Sequence, residues 1–291
     1  MNHNNISIII PVCNEAKSIG DIITKTKELY PDSEIIIIND GSTDHTVTIA
    51  KEAGAIVFSH PYNIGNGAAI KSGVRIASGE VLVFMDGDGQ HYPEDIGKML
   101  QHFPEFDMVV GTRPKGNKTS WSRRFGNRVF NWLASYVTKF KIQDLTSGFR
   151  AIKSDVAHQF LFLLPNTYSY PTSMTLGVLR DGRCVKYVPI RLTNRKTGKS
   201  KIRLFRDGVK FLMIITKICT LYSPLRIFLP VSLFMFMLGL GYYIYTYISW
   251  SRFTNMSALL FTTSIIIFMM GLISEQVSQM RYERGEGDKF V

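Results

Sequence analysis

The stretch "VLVFMDGDGQHYPEDI", residues 81–96, decides how this chain is read. Five apolar residues, Val81 to Met85, run straight into two carboxylates, Asp86 and Asp88, separated by one glycine. An unbroken apolar run predicts a strand buried on both faces, as in a parallel sheet, and Pro93 is suited to open a helix. Working outward, Ile6–Val12, Glu34–Asn39, Ala55–Ser59 and Met108–Gly111 read as further strands. Helical patterns lie between them at Glu15–Leu29, Thr43–Ala53, Gly67–Ala77 and Pro93–Phe103. The fold class is therefore α/β, a mostly parallel sheet with helices on both faces. In such sheets ligands bind beyond the carboxyl ends of the strands. Polar, glycine-rich loops follow each strand in turn: "PVCNEA", "NDGSTD", "HPYNIGNG", "DGDGQ" and "GTRP".

The chemistry lies in these loops. One carboxylate at a strand end is often only a helix cap. Asp86 and Asp88 flank a single glycine and precede Gln90, which brings several hard oxygen donors together. That set suits Mg²⁺ or Mn²⁺ bridging a diphosphate, because these ions use few protein ligands and complete their shells with substrate phosphates. His91 is a poorer ligand for a hard cation and is expected in the wall. Asp40 can accept hydrogen bonds from a base or ribose, while Ser42 or Asp44 can cap the next helix. Asn14 is a candidate cap and Glu15 can face the ligand. "NIGNGAA" offers glycines beside a helix start, favourable near phosphate, but lacks the GxGxxG spacing of a dinucleotide fingerprint.

The end of the chain is different. Ile227 to Ile248 contains no charge and is long enough to cross a hydrocarbon core about 30 Å thick. Met256 to Ile273 is a second uncharged run. Basic residues gather before the first run and after the second, while the loop between holds only Arg252, so both termini are expected in the cytoplasm. Leu204 to Leu221 reads as an amphipathic helix on the membrane surface, as does the segment 123–140 with Phe125, Val129, Trp132, Leu133 and Tyr136 at helical spacing. The resulting division is a catalytic domain over 1–203 with an interfacial helix near 121–140, a juxtamembrane helix over 204–224, two transmembrane helices over 225–280 and a tail over 281–291. The net charge of +11 suggests anionic partners. Its clustering beside the spans favours membrane lipids, and no nucleic-acid partner is expected. Cys13, Cys184 and Cys219 are odd in number and widely spaced, which fits a reducing compartment without a zinc site. The N-terminus has no basic segment leading into a long apolar core, so no cleavable signal peptide is expected.

Six motifs, "IIIPVCNE", "NDGSTD", "NIGNGAAIKSG", "FMDGDGQHYPEDI", "GTR" and "DLTSGFRA", occur in an order that resembles family 2 glycosyltransferases. The chain looks most like the polyprenyl-phosphate group related to dolichyl-phosphate mannose synthase, in its membrane-anchored subgroup. The resemblance spans residue 6 to about residue 210. It implies a GT-A, Rossmann-like fold, a UDP- or GDP-linked sugar donor, Mg²⁺ or Mn²⁺, and inverting transfer onto undecaprenyl or dolichyl phosphate. Carried over by position, Pro11, Asn14, Glu15, Asp40 and Asp86 would line the nucleotide-sugar site. Asp86, Asp88 and Gln90 would surround the metal, with Asp88 and Gln90 as direct ligands. Arg195, Ser200 and Lys201 would belong to a basic loop over the donor diphosphate. Cys13 and Thr112 depart from the family's usual aromatic and serine.

A lipid monophosphate is ionised at neutral pH and needs positioning by arginines more than a strong base. Arg113 and Arg123 are the candidate clamp, with Arg124 or Arg128 as substitutes for Arg123. Asp144 can orient the reacting phosphate, act as base, or serve only the turn. "TGKS" at residues 197–200 imitates a P-loop ending, but Thr193 stands where its first glycine belongs. A processive polysaccharide synthase would carry a QxxRW motif and more spans, and neither is present. The alternative of another class is a non-catalytic membrane scaffold that binds nucleotide-sugar. Homo-oligomerisation is compatible with everything above.

Overall fold

The computed structural model describes residues 5–112, 128, 131–132, 134–136, 138–166, 170–193 and 224–287, with side chains in the last helix described through residue 278 and at residue 280. The chain divides into two compact units, Met1–Leu212 and Met213–Val291.

In the first unit strands and helices alternate: β1 (Ile6–Val12), α1 (Ile19–Leu29), β2 (Glu34–Asp40), α2 (Thr46–Glu52), β3 (Ile56–His60), α3 (Asn66–Ile76), β4 (Val81–Phe84), α4 (Asp95–Leu100) and β5 (Met108–Thr112). There follow β6 (Arg150–Lys153), α5 (Ser154–Gln159), a 3₁₀ turn at Leu161–Leu163, α6 (Tyr170–Arg180) and β7 (Val185–Pro189). Among the described residues the strands form one sheet in the order β3-β2-β1-β4-β6-β5-β7. All neighbours run parallel except β6, which is antiparallel to both β4 and β5. The five strands and four helices expected from the sequence all form. β6 was not anticipated. The order turns back on itself at β1, between β2 and β4, and that switch point opens the crevice where ligands of such sheets bind.

The sheet is covered on both faces. Ile8, Ile10, Ile37 and Val83 pack in one core with Ile19, Ile22 and Ile23 of α1 and Ile96, Met99 and Leu100 of α4. Ile9 and Ile38 point the other way, toward α3. A Cβ on Gly73 would lie 2.3 Å from Ile9 Cγ2, so only glycine allows α3 this close. Three helices start later than the sequence suggests, α2 at Thr46 rather than Thr43. α1 begins at Ile19 rather than Glu15, because the N–H groups of Asn14, Glu15 and Ala16 donate instead to Ser42 Oγ (3.0 Å), Thr46 Oγ1 (2.9 Å) and Asp44 Oδ2 (3.3 Å). α4 begins at Asp95, whose fully buried carboxylate accepts from Lys98 Nζ at 2.7 Å and from the backbone N–H of Arg191 at 2.7 Å.

The second unit contains α7 (Leu225–Trp250) and α8 (Asn255–Gly287), both long and apolar enough to cross a membrane. They pack as an antiparallel pair. Gly271 admits Phe228, whose Cβ would lie 2.7 Å from an added Cβ, and Gly239 does the same for Leu260 and Phe261. Midway, Ser232 Oγ donates to Ser264 O (3.0 Å) and Ser264 Oγ donates to Ser232 O (2.9 Å). At one end Glu275 Oε2 accepts from the N–H of Leu225 at 3.2 Å, capping the first turn of α7 from across the pair.

Two outcomes follow from this packing. Gly73→Ala drives a methyl into Ile9 and costs about 1–3 kcal/mol, as overpacked cores do, which thermal unfolding of the purified chain reads directly. Burial pushes the Asp95 carboxyl up, but Lys98 and Arg191 outweigh it and hold its pKa below the ordinary value. Such a group stabilises the fold above the unfolded carboxylate pKa of about 3.9 and loses that contribution as pH falls through its lower folded value. Asp95→Asn therefore lowers the melting temperature at neutral pH and flattens its acid dependence below about pH 3.9.

Candidate active site

The loop after β4 carries the paired carboxylates. Met85 N–H donates to Ile9 O (3.1 Å), so the loop leaves the sheet beside the end of β1. Gly87 is pressed against β1, where an added Cβ would lie 2.6 Å from Val12 Cγ1. Its carbonyl accepts from Ser18 Oγ at 2.8 Å, which ties the loop to the start of α1. Asp88 Oδ1 accepts from Gln90 N–H at 3.1 Å, closing a tight turn in which Gly89 takes φ +74°. Asp86, Asp88 and Gln90 are each half-buried. Gly148 lies against Asp86; a Cβ there would be 3.0 Å from Asp86 Oδ2. His91 stacks on Phe149 at 4.8 Å between ring centroids. Thr193 N–H donates to Gln90 O (3.1 Å), which brings the segment after β7 alongside this loop.

No group of three or more His, Cys, Asp or Glu side chains converges among the described residues. Two carboxylates plus the Gln90 amide oxygen therefore fit an ion that takes its remaining ligands from a diphosphate and water, and do not fit a protein cage.

The β1, β2 and β3 ends form a second cluster. Asp40 is 4% exposed. Its Oδ1 accepts from Ile64 N–H (2.9 Å) and pairs with His60 Nδ1 (2.8 Å), and its Oδ2 accepts from Gly65 N–H (2.8 Å). His60 Nε2 reaches Ser72 Oγ at 2.9 Å. The Asp40 carboxylate thus sits at the start of α3, where the glycine-rich loop was expected to favour phosphate. Asn14 adopts φ +59° and its Oδ1 accepts from Thr43 N–H at 2.8 Å, so it braces the loop after β2 and does not cap α1. Asp44 accepts from Thr46 N–H at 3.1 Å at the entry to α2. Burial raises the Asp44 carboxyl, but the bonds from Thr46 and Ala16 win and its pKa lies below the ordinary value. Pro11 and Glu15 are half-buried at the same ends. Cys13 Sγ accepts from Asn63 Nδ2 at 3.3 Å, and Thr112 Oγ1 donates to Val188 O at 3.3 Å.

Asp144 is half-buried in the loop before β6, and its Oδ1 accepts from Thr146 N–H (2.9 Å) and Oγ1 (3.0 Å). Arg150, unremarked in the sequence reading, is fully buried at the head of β6. Its only signal was a lone arginine among apolar residues directly after "TSGF". Burial lowers its pKa, opposed by the charges of Asp144 and Asp86 among others. His60 escaped notice in the same way, at the end of an apolar run.

Arg128 is exposed on a helical segment. On the same segment Trp132 and Tyr136 are exposed and stack at 6.3 Å, while Ala134 is fully buried. Arg113, Arg123, Arg124, Arg195, Ser200 and Lys201 lie outside the described residues, as does the stretch read as a juxtamembrane helix through residue 223.

Comparison with known proteins matches the glycosyl transferase family 2 model over residues 7–161 and the GtrB C-terminal hairpin model over residues 223–280. An uncharacterised protein of Methanocaldococcus jannaschii is 29% identical over 223 residues, covering 73% of this chain and 91% of its own length. The undecaprenyl-phosphate mannosyltransferase of Micrococcus luteus is 28% identical over 210 residues, covering 67% of this chain and 86% of its own. Among solved structures, glucosyl-3-phosphoglycerate synthase of Mycobacterium tuberculosis, in complex with Mn²⁺ and UDP-glucose, superposes with a TM-score of 0.59. It is 19% identical and the match covers 74% of this chain and 79% of that one, which identifies the fold as GT-A.

The Gly148 contact is directly testable. Gly148→Ala crowds Asp86 and should weaken Mn²⁺ binding about 10-fold, as loss of ligand support does. Electron paramagnetic resonance of the free ion measures it.

Proposed function

Because the chain belongs to glycosyl transferase family 2, we propose that it moves a single sugar from a nucleotide-sugar onto a polyprenyl phosphate at the cytoplasmic face of a membrane. The observation that carries this reading is the half-buried Asp86–Asp88–Gln90 loop at the switch point of the sheet, in a chain that also carries a hairpin long and apolar enough for a membrane. The Micrococcus luteus relative is named for undecaprenyl phosphate, which supports the lipid acceptor.

Asp88 and Gln90 would hold Mg²⁺ or Mn²⁺, with Asp86 beside them. The cation, when bound, would supply positive charge to offset that of the departing diphosphate. Pro11, Asn14, Glu15 and Asp40 line the nucleotide side. Arg113 with Arg123, Arg124 or Arg128 grips the acceptor phosphate, and Asp144 orients it. An acceptor phosphate oxygen attacks the anomeric carbon as its bond to the diphosphate oxygen breaks, the nucleoside diphosphate leaves, and configuration inverts. Arg195, Ser200 and Lys201 cover the diphosphate during transfer. The catalytic unit and both termini face the cytoplasm, in line with the basic residues that flank the two spans.

The test is a transfer assay. Full-length protein in detergent receives undecaprenyl phosphate, Mn²⁺ or Mg²⁺, and a panel of radiolabelled UDP- and GDP-sugars, with EDTA and Asp88→Asn controls. An acid-labile glycolipid that disappears with EDTA is expected, and Asp88→Asn should lower turnover by about 100-fold or more. Nucleotide-sugar binding without transfer from any donor would favour a scaffold, and full activity of Asp88→Asn would remove the metal assignment.

A further inference from the structure

Arg150 has no place in the site described so far. It carries a full charge with none of its surface exposed, which is costly unless its donors are bound and its charge is opposed. Its donors are bound on two sides. Nη1 donates to Pro171 O (3.0 Å) and Thr175 Oγ1 (3.1 Å) in α6, and Nη2 donates to Ser147 O in the loop before β6. Two further bonds run the same way from α6 to that loop. Tyr170 Oη donates to Gly148 O at 3.3 Å and Thr172 Oγ1 donates to Leu145 O at 3.4 Å. Three loop carbonyls, at residues 145, 147 and 148, are thus held by Thr172, Arg150 and Tyr170 in turn.

This bracket backs onto the carboxylates. Arg150 pairs with Phe84 across the β4–β6 ladder, two residues before Asp86. The Tyr170 ring packs edge-on to Phe84 at 6.3 Å, and the guanidinium lies 5.9 Å from the Tyr170 centroid. Gly148, fixed by the bracket, is the residue whose backbone borders the Asp86 carboxylate. Asp144, at the other end of the loop, and Asp86 are the carboxylates whose charges reach Arg150. No salt bridge to Arg150 is seen among the described residues, so its charge opposes the two carboxylates without taking up their oxygens.

We infer that Arg150 is a positioning residue for the transfer: it fixes the Asp144–Phe149 loop as a rigid wall beside Asp86 and supplies a buried positive charge behind Asp86 and Asp144. The assignment rests on the transfer reading above. It makes a paired expectation that a merely structural arginine does not. Removing the charge takes a like charge away from behind the metal site, so cation affinity holds or rises. Removing the fork loosens the wall, so turnover falls.

The experiment compares the full-length chain with Arg150→Met, Arg150→Lys and Thr175→Val. Thermal unfolding, Mn²⁺ binding by electron paramagnetic resonance, and kcat and KM with the donor found in the panel are measured for each. In Arg150→Met, Mn²⁺ should bind at least as tightly as in wild type while kcat falls about 100-fold with KM for the donor little changed. Arg150→Lys, which keeps the charge, should keep wild-type Mn²⁺ affinity and recover part of kcat. Thr175→Val, which removes one acceptor of the fork, should lower kcat without altering Mn²⁺ affinity. Joint loss of Mn²⁺ affinity and kcat, or wild-type kcat in folded Arg150→Met, would overturn the inference. If Arg150→Met does not fold, Arg150→Lys with wild-type kcat and Thr175→Val with wild-type kcat together overturn it. If the wild type transfers no sugar, the transfer reading fails on its own. The Mn²⁺ measurement still decides the charge, since weaker binding in Arg150→Met would refute it.

Discussion

β1 and β4 lie side by side in the middle of the sheet with both faces covered, and that burial dictates where polar chemistry can go. A strand enclosed on both sides admits apolar side chains along its length and can change character only at its ends. Among the described residues six strands run the same way and end on one edge, so their loops are forced together there. Asp86 and Asp88 belong to no surface patch that happens to be acidic. They are the first residues past the point where β4 no longer has helices over it. The turn that carries them is closed from within, by the Gln90 N–H on Asp88 Oδ1. Ser18, Ser42 and Thr46 act as cross-ties between loops.

The sequence displayed the strands because an apolar run that stops on a charge needs no context to be read. It displayed the paired carboxylates for the same reason. Helix starts were less legible, since the N–H groups that would open α1 are bound by side chains 28 and 31 residues away. β6 was hidden because it is four residues long, runs antiparallel, and begins with an arginine, which no local pattern reads as buried. Arg150 becomes intelligible only when α6, a loop and β4 are assembled around it. Asp40 was legible as an acceptor, but not as one whose oxygens already hold the start of α3 and His60.

The two halves of the site differ in their freedom. On the β2–β3 side, Asp40 joins Ile64, Gly65 and His60, and Asn63 reaches back to Cys13, so the loops are stitched to one another. On the β4–β6 side, Gly87 and Gly148 let backbone approach close enough that the carboxylate of Asp86 is framed by main chain. A framework of backbone and glycine leaves little room for side-chain substitution. This half of the site is where one added methyl group reaches the Asp86 carboxylate.

The bond between Glu275 and the first amide of α7 has a bearing on how the hairpin is made. Translation delivers α7 some fifty residues before its acceptor, since Leu225 and Glu275 are that far apart in the chain. Until α8 arrives, the first turn of α7 must find another partner, in water or among lipid head groups. The carboxylate then reaches it only if the two helices lie antiparallel with these ends level. A misregistered hairpin would leave this bond unmade, so it forms late and only in one register.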